Sequence, residues 1–263
     1  MKKTSHSFIY FFLSLFLVFS GCKESKPRLK IAASSIPHAE ILEFIKPKLL
    51  EKNIDLDIIV IDDYQTPNRA LSDKEVDANY FQHYPFLQQQ TQDFNYSLES
   101  LVGVHLEPMG IYSRTLTSLD QIKPDSTVAI PSDPSNHARA LELLAQANLI
   151  KIKDRGNKTT LLDVTENPLR LQFTDMEALA IAHALDDVDL AVLNTNYALL
   201  AGLSPKTDAL AIENGQSRFV NLVVVRQGDT DRADLQELKK ALTTEEVRQF
   251  INEHYKGAIS PAF

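Results

Sequence analysis

Short strand-like and helix-like segments alternate along most of this chain. Residues 29–33, 56–61 and 77–82 form apolar or β-branched runs of strand length, and residues 38–52 carry apolar side chains at helical spacing. Strands that alternate with helices predict an α/β fold with a largely parallel sheet. Pro47 lies inside the first helical pattern, so we expect it to kink or split that helix.

The alternation starts again after residue 112. Strands are predicted at residues 127–130, 169–173, 188–193 and 219–225, with helices between them and two amphipathic helices near the C-terminus. This repetition predicts two lobes joined by two crossover segments, near residues 108–112 and 217–224, with a ligand cleft between the lobes. Lobe 1 is predicted to comprise residues 29–110 and 222–263, and lobe 2 residues 111–221.

The N-terminus has the pattern of a secretory signal. Two lysines precede an apolar run at residues 8–19, which is shorter than the ~20 apolar residues of a membrane span. Cys22 is the only cysteine, and the residues before it resemble a bacterial lipobox, although Phe19 stands where leucine is most common. We therefore predict a lipoprotein signal peptide at residues 1–21, acylation of Cys22 and a tether at residues 22–28. Such a protein is held on a membrane by lipid and faces the periplasm or the outside.

Composition and motifs exclude several functions. The formal charge is −8, and it becomes −10 without residues 1–21, which contradicts binding to nucleic acid phosphates. The chain has no G-x-S-x-G, P-loop or G-x-G-x-x-G motif, and none of its seven histidines lies four positions from another. We therefore predict no catalytic residue, no metal site and no cofactor.

Three stretches are unusual in composition, because they gather polar and aromatic residues on a predicted strand or directly after one. They are residues 77–83 (DANYFQH), 131–139 (PSDPSNHAR) and 194–197 (NTNY), and the last is echoed by residues 219–221 (FVN). These stretches, with residues 37–42, 63–68 and 163–168, resemble the methionine-binding lipoproteins of bacterial ABC importers, the NlpA lipoprotein family. The likeness extends in order over nearly the whole chain after the leader.

The resemblance implies a two-lobed periplasmic-binding-protein fold and methionine as the usual ligand. It also implies a permease and ATPase complex as the partner, and we expect the binding protein to be a monomer. A free amino acid presents a carboxylate, an ammonium group and a side chain, and the candidate residues suit these groups. The predicted ligand-binding residues are Tyr64, Phe81, His83, Arg139, Asn194 and Asn221.

Each of these side chains has a chemical reason to be in the set. Arg139 is predicted to lie in the first turn of a helix, where its planar guanidinium group can bind a carboxylate through two parallel hydrogen bonds. Asn194 and Asn221 carry both donors and acceptors, so either can serve either charged group. Tyr64, Phe81 and His83 are expected to form the wall around a thioether side chain.

Structural roles remain open for most of these residues. Arg139 also suits a solvated helix face, and Asn194 suits a helix cap, with Asn196 as a competitor for the ligand role. His38 is interpreted as a residue of a cap region, and Asn136 as the cap of the helix that carries Arg139. Alternative functions are the binding of another small amino acid, a dipeptide or an organic anion, a surface adhesion lipoprotein, and a periplasmic enzyme on the same fold.

Overall fold

The computed structural model describes residues 28–214 and 217–263. The predicted signal peptide and Cys22 therefore lie outside the described residues. No helix within the described ranges is both long enough and apolar enough to cross a membrane.

The strands are β1 (Arg28–Ala33), β2 (Asp55–Val60), β3 (Ala78–His83), β4 (Leu98–Leu106), β5 (Gly110–Tyr112), β6 (Thr127–Pro131), β7 (Lys151–Ile152), β8 (Val164–Glu166), β9 (Gln172–Met176), β10 (Leu190–Leu193), β11 (Ala211–Ile212), β12 (Val220–Arg226) and β13 (Ser260–Pro261). The helices are α1 (Glu40–Glu51), α2 (Thr66–Ser72), α3 (Tyr84–Phe94), α4 (Pro134–Gln146), α5 (Ala178–His183), α6 (Thr195–Leu200), α7 (Ala233–Leu242) and α8 (Glu245–Tyr255).

The first sheet has six strands in the order β13-β4-β12-β3-β1-β2. Strands β2, β1 and β3 run parallel, whereas β12 and β13 pair antiparallel with their neighbours. The sheet is therefore mixed rather than largely parallel. Helices α1, α7 and α8 cover one face with side chains such as Ile45, Leu238 and Ile251.

The second sheet has five strands in the order β11-β5-β10-β6-β9. Strands β9, β6 and β10 are parallel, and β5 pairs antiparallel with β10 and β11. Leu141 and Leu144 of α4 pack in one apolar core of this sheet, and Ile181 of α5 and Tyr197 of α6 pack in another. The strands β7 and β8 form a separate small hairpin.

The chain changes sheet twice. It leaves the first sheet after Leu106 and enters the second at Gly110, and it leaves the second after Ile212 and returns at Val220. Asn221, which the predicted boundary assigns to lobe 2, lies on β12 in the first sheet opposite His83. The lobe boundaries at residues 110/111 and 221/222 stay predictions, within two residues of these changes of sheet.

Two local expectations need correction. Helix α1 continues without a break through Pro47, so a split helix is wrong. Pro47 is exposed, and water can therefore bind the carbonyl group that lacks its helical partner. The strand predicted at residues 169–173 begins later, at Gln172, because the residues before it form a turn in which Arg170 has a positive φ.

The carboxyl ends of parallel strands position the candidate side chains. In the first sheet, β3 ends at His83, and in the second, β6 and β10 lead into α4 and α6. Ligands of α/β sheets bind at these ends, because loops and helix starts gather there. The two sheets bring these ends to one shared space.

Candidate ligand-binding site

All six predicted ligand-binding side chains line one cavity between the two sheets. The space between its lining atoms is about 290 Å³. Its lining residues are Tyr64, Phe81, Gln82, His83, Phe86, Glu107, Asn136, Arg139, Asn194 and Asn221. The six predicted residues come from five separate parts of the chain, and the fold brings them together.

One end of the cavity is aromatic. The ring of Tyr64 lies 5.9 Å from that of Phe81, 5.7 Å from that of Phe86 and 4.9 Å from that of Tyr197. The Tyr64 hydroxyl group donates a hydrogen bond of 2.7 Å to Asn196 Oδ1, which holds the ring in place. Such a wall suits an apolar, polarisable side chain, since sulfur contacts aromatic rings favourably.

Arg139 is buried and already strongly bound. Its Nε donates to Glu213 Oε2 at 2.9 Å and its Nη2 to the carbonyl oxygen of Glu107 at 2.7 Å. Nη2 also contacts the other oxygen of Glu213, and the guanidinium group lies 4.0 Å from the ring centre of Phe219. A solvated helix face is therefore wrong for this residue, which is 2% exposed.

The geometry also corrects how Arg139 can act. The residue lies in the second turn of α4 rather than the first, five positions after Pro134. The Nε–Nη2 edge is bound to Glu213, so this edge is not free for the predicted pair of hydrogen bonds to a ligand carboxylate. Nη1 is the nitrogen that makes no hydrogen bond to another described residue, and it is the donor left for a ligand.

Asn194 presents an acceptor to the cavity. It is the N-cap residue of α6, yet its side chain makes no capping hydrogen bond. Its Nδ2 donates instead to Asn136 Oδ1 at 2.9 Å, and its Oδ1 is buried without a hydrogen-bond partner in the described part of the chain. A buried acceptor of this kind requires a donor from a molecule in the cavity.

Asn136 and His83 hold Asn194 in this orientation. Asn136 Nδ2 donates to the Asp133 carboxylate at 3.1 Å, so Asn136 Oδ1 faces Asn194 and His83 Nε2. His83 Nδ1 accepts from the Phe86 backbone N–H at 3.2 Å. Burial, with the nearby Arg139, lowers the pKa of His83 to about 3, so the ring is neutral and Nε2 carries its proton. The prediction that Asn136 caps α4 is wrong: Asp133 is the N-cap residue, and its carboxylate accepts from the Asn136 backbone N–H at 2.9 Å.

A buried polar network lies beside the cavity. Glu107 Oε1 accepts from His105 Nε2 at 2.7 Å, and Oε2 accepts from the Asn196 backbone N–H at 3.0 Å. His38 Nε2 lies 3.0 Å from Asn221 Oδ1. Burial opposes ionisation of Glu107, but the hydrogen bonds and charges of its neighbours hold the pKa of that carboxyl below its usual value.

This network adds a second role for His38 and shows which residues escaped prediction. His38 lies directly before Ala39, the N-cap residue of α1, as a cap-region residue does, but its side chain is 1% exposed and bonded to Asn221. Glu107 and Phe86 line the cavity but are absent from the predicted set. Glu107 has one sequence signal, its position directly before the crossover predicted near residues 108–112.

The only metal-binding geometry within residues 28–214 and 217–263 involves His38, His105 and Glu107. Their ligand atoms lie within 4.8 Å of one another. The nitrogen atoms that face Glu107 already take part in hydrogen bonds, to Glu107 itself and to Asn221. In this geometry the three residues form a hydrogen-bonded network.

Direct hydrogen bonds near the cavity join the parts of the chain that carry the two sheets. Gln65 Nε2 donates to Glu177 Oε1 at 2.8 Å, and the hydroxyl group of Tyr197 contacts the carbonyl oxygen of Asp62. A closed polar cavity with one aromatic end, set between two α/β units with two connections, defines a two-lobed substrate-binding protein.

The particular family follows from comparison with known proteins. The family model described as NlpA lipoprotein matches residues 29–263, and the chain belongs to that family. The methionine-binding lipoprotein MetQ of Bacillus subtilis is 37% identical over 248 residues, which are 92% of this chain and 90% of that protein. The family resemblance stated from the sequence is thus confirmed.

Solved structures agree with this assignment. A periplasmic substrate-binding protein of an ABC transporter from Coxiella burnetii is 39% identical, with a TM-score of 0.85 over 89% of this chain and 100% of that one. A nutrient binding protein from Burkholderia cenocepacia bound to methionine is 37% identical, with a TM-score of 0.86 over 89% and 100% of the two chains. The predicted α/β periplasmic-binding-protein fold is confirmed.

Proposed function

We propose that this protein captures methionine in the cavity and delivers it to the permease and ATPase complex of an ABC importer. One observation carries the proposal: a single closed cavity combines a free guanidinium nitrogen, a buried unpaired acceptor and an aromatic wall. These are the complements of a carboxylate, an ammonium group and an apolar side chain. The methionine held by the Burkholderia cenocepacia relative supports the same ligand.

The proposed binding residues are the six predicted from the sequence. Arg139 and the two asparagines hold the charged groups, and Tyr64, Phe81 and His83 contact the thioether side chain. His83 is neutral, so it contributes shape and polarity to the wall rather than charge.

Selectivity tests the proposal. Methionine is expected to bind more tightly than leucine, because a branched side chain fits a narrow aromatic pocket poorly. Glutamate and lysine bury a side-chain charge without a partner at the aromatic end, which is costly. Calorimetry with these four amino acids, and with both L- and D-methionine, measures the ranking. Equal affinity for methionine and lysine contradicts the assignment.

Ligand carried through gentle purification tests the alternatives. Native mass spectrometry of the protein identifies a bound methionine, another amino acid, a dipeptide or an organic anion by mass. We propose binding without chemistry, so the ligand is expected to leave unchanged after denaturation. A chemically altered ligand supports the periplasmic enzyme instead.

We propose that the protein acts as a lipid-anchored monomer whose lobes close on the ligand. The hydrogen bonds from Gln65 to Glu177 and from Tyr64 to Asn196 support a closed, bound form. A ligand that bridges the lobes stabilises that form by its higher affinity for it. Small-angle scattering of the protein stripped of ligand is expected to show compaction when methionine is added, and an unchanged radius of gyration contradicts closure.

The anchor has its own test. Cys22 is proposed to be acylated, and Cys22→Ala is expected to release the protein from membranes or to leave the precursor uncut. Membrane fractionation and mass spectrometry of the N-terminal peptide measure both outcomes. A wild-type protein that is soluble and unacylated contradicts this proposal but leaves the ligand assignment intact.

A further inference from the structure

The side-chain amide of Asn221 has two faces with opposite chemistry. Its oxygen accepts hydrogen bonds and its NH₂ group donates them, and rotation by half a turn exchanges the two. The orientation therefore decides whether Asn221 serves the ammonium group or the carboxylate of a ligand. The residue is 5% exposed and lines the cavity, so its neighbours determine the orientation.

The first step is the proton on His38. Its Nε2 lies 3.4 Å from Glu107 Oε1. A carboxylate only accepts hydrogen bonds, so the nitrogen that faces it carries the hydrogen. Nδ1 of His38 is buried with no hydrogen-bond partner among the residues that the structure describes. Burial lowers the pKa of His38 to about 4, so at neutral pH the ring has one proton, and that proton is on Nε2.

Glu107 itself is fixed by a second histidine. Its Oε1 accepts from His105 Nε2 at 2.7 Å, and the hydroxyl group of Tyr80 contacts His105 Nδ1. His105 Nε2 carries the hydrogen that faces the carboxylate, and Tyr80 donates to Nδ1. The carboxylate oxygen is thus held beside His38 by a network in which every donor has an acceptor.

The second step is the amide. The His38 Nε2–H group lies 3.0 Å from the side chain of Asn221, so it requires an acceptor there. Asn221 must turn Oδ1 toward His38. Its Nδ2 makes no hydrogen bond to another described residue, and it is the polar group that Asn221 leaves for the cavity.

We propose that His38 is a positioning residue that fixes the amide of Asn221 with its NH₂ group toward the ligand, so that Asn221 binds the ligand's carboxylate. This inference rests on the proposed amino-acid-binding function. Asn194 has the opposite polarity, since Asn136 fixes it with Oδ1 toward the cavity. The two asparagines therefore give the cavity a donor side, which includes Arg139, and an acceptor side for the ammonium group.

The ligand test compares methionine with methioninamide, in which a neutral carboxamide replaces the carboxylate. His38→Leu removes the donor and frees Asn221 to turn its oxygen toward the carboxamide NH₂. The affinity ratio of methionine to methioninamide is expected to fall by roughly tenfold, the scale of one charge-assisted hydrogen bond. His38→Gln keeps an N–H donor and is expected to keep the wild-type ratio.

A purely structural role of His38 predicts a different result. Both ligands then lose affinity together in His38→Leu, the ratio stays unchanged, and the proposal is overturned. Asn221→Asp keeps His38 and presents an oxygen in either orientation, so it is expected to lower the ratio as well. This variant keeps the test decisive if His38→Leu does not fold.

A second readout needs no ligand. Long-range ¹H–¹⁵N spectra of histidine-labelled protein at pH 7 report which nitrogen of His38 is protonated. We expect a neutral ring with the proton on Nε2, and the proton on Nδ1 overturns the proposal. If the wild type binds no amino acid but His38 has this tautomer, the proposed function fails while the geometry stands.

Discussion

Replacement of Arg139 by alanine is expected to weaken both the fold and the binding of methionine. Arg139 and Glu213 form a buried ion pair, with side chains 2% and 4% exposed. Removal of one partner leaves the other charge buried, which costs ~3–5 kcal/mol of the free energy of unfolding. For a chain of this size the melting temperature then falls by roughly 6–20 °C, at ~2–4 °C per kcal/mol.

Binding is expected to weaken through a separate cause. Nη1 of Arg139 is the donor left for the ligand, and a charge-assisted hydrogen bond contributes ~1.5–3 kcal/mol. That energy corresponds to about ten- to a hundredfold in the dissociation constant. Differential scanning calorimetry measures the stability, and titration calorimetry below the melting transition measures the affinity.

A double variant separates the two effects. Arg139→Met together with Glu213→Gln removes both charges and replaces them with an unbranched apolar side chain and a neutral amide of the same length as glutamate. It is expected to recover most of the lost stability, because no unpaired charge is left in the core, while methionine binding stays weak. Wild-type affinity in the double variant refutes the role of Arg139 as a ligand donor, and a wild-type melting temperature in Arg139→Ala refutes the ion-pair argument.

Three further perturbations follow from the geometry. Burial lowers the pKa of His38 to about 4 and that of His83 to about 3. Below pH ~6.5 the unfolded chain therefore binds more protons than the folded protein. The free energy of unfolding, measured with urea, is expected to fall from pH 6.5 toward pH 4 by up to ~1.4 kcal/mol per pH unit for each histidine. Tyr64→Phe loses a 2.7 Å hydrogen bond across the cleft and is expected to weaken methionine binding by roughly two- to tenfold in calorimetry, with an unchanged circular dichroism spectrum. Gly110→Ala places a methyl group 2.7 Å from the ring of Tyr112, which is fully buried, and is expected to destabilise the protein by ~1–3 kcal/mol in thermal unfolding.

A matched control accompanies the prediction for Tyr64. Tyr84→Phe makes the same chemical change as Tyr64→Phe at a side chain that is 55% exposed, and it is expected to leave the affinity unchanged. A flat stability between pH 6.5 and 5, wild-type affinity of Tyr64→Phe, or wild-type melting of Gly110→Ala contradicts the respective argument.

The sequence by itself determined the class of fold and the candidate ligand residues. Periodicity marks strands and helices because burial repeats every two or about 3.6 residues, and that signal is local. The periodicity did not predict β4 or the antiparallel part of the first sheet. Strand β12 joins that sheet only after the chain has formed the second sheet, so this pairing leaves no local signal. The six candidate residues stood out because they lie in stretches that resemble the family and carry polar and aromatic side chains on strands or directly after them.

Only the tertiary structure decided which hydrogen-bonding groups of each side chain remain free for a ligand. His38 and Asn221 are 183 positions apart, yet their contact fixes which end of an amide faces the cavity. Arg139 and Glu213 are 74 positions apart, and their pairing leaves one nitrogen of the guanidinium group for a ligand. The residue types determine which hydrogen bonds are possible, whereas the hydrogen bonds that remain free depend on neighbours that only folding supplies.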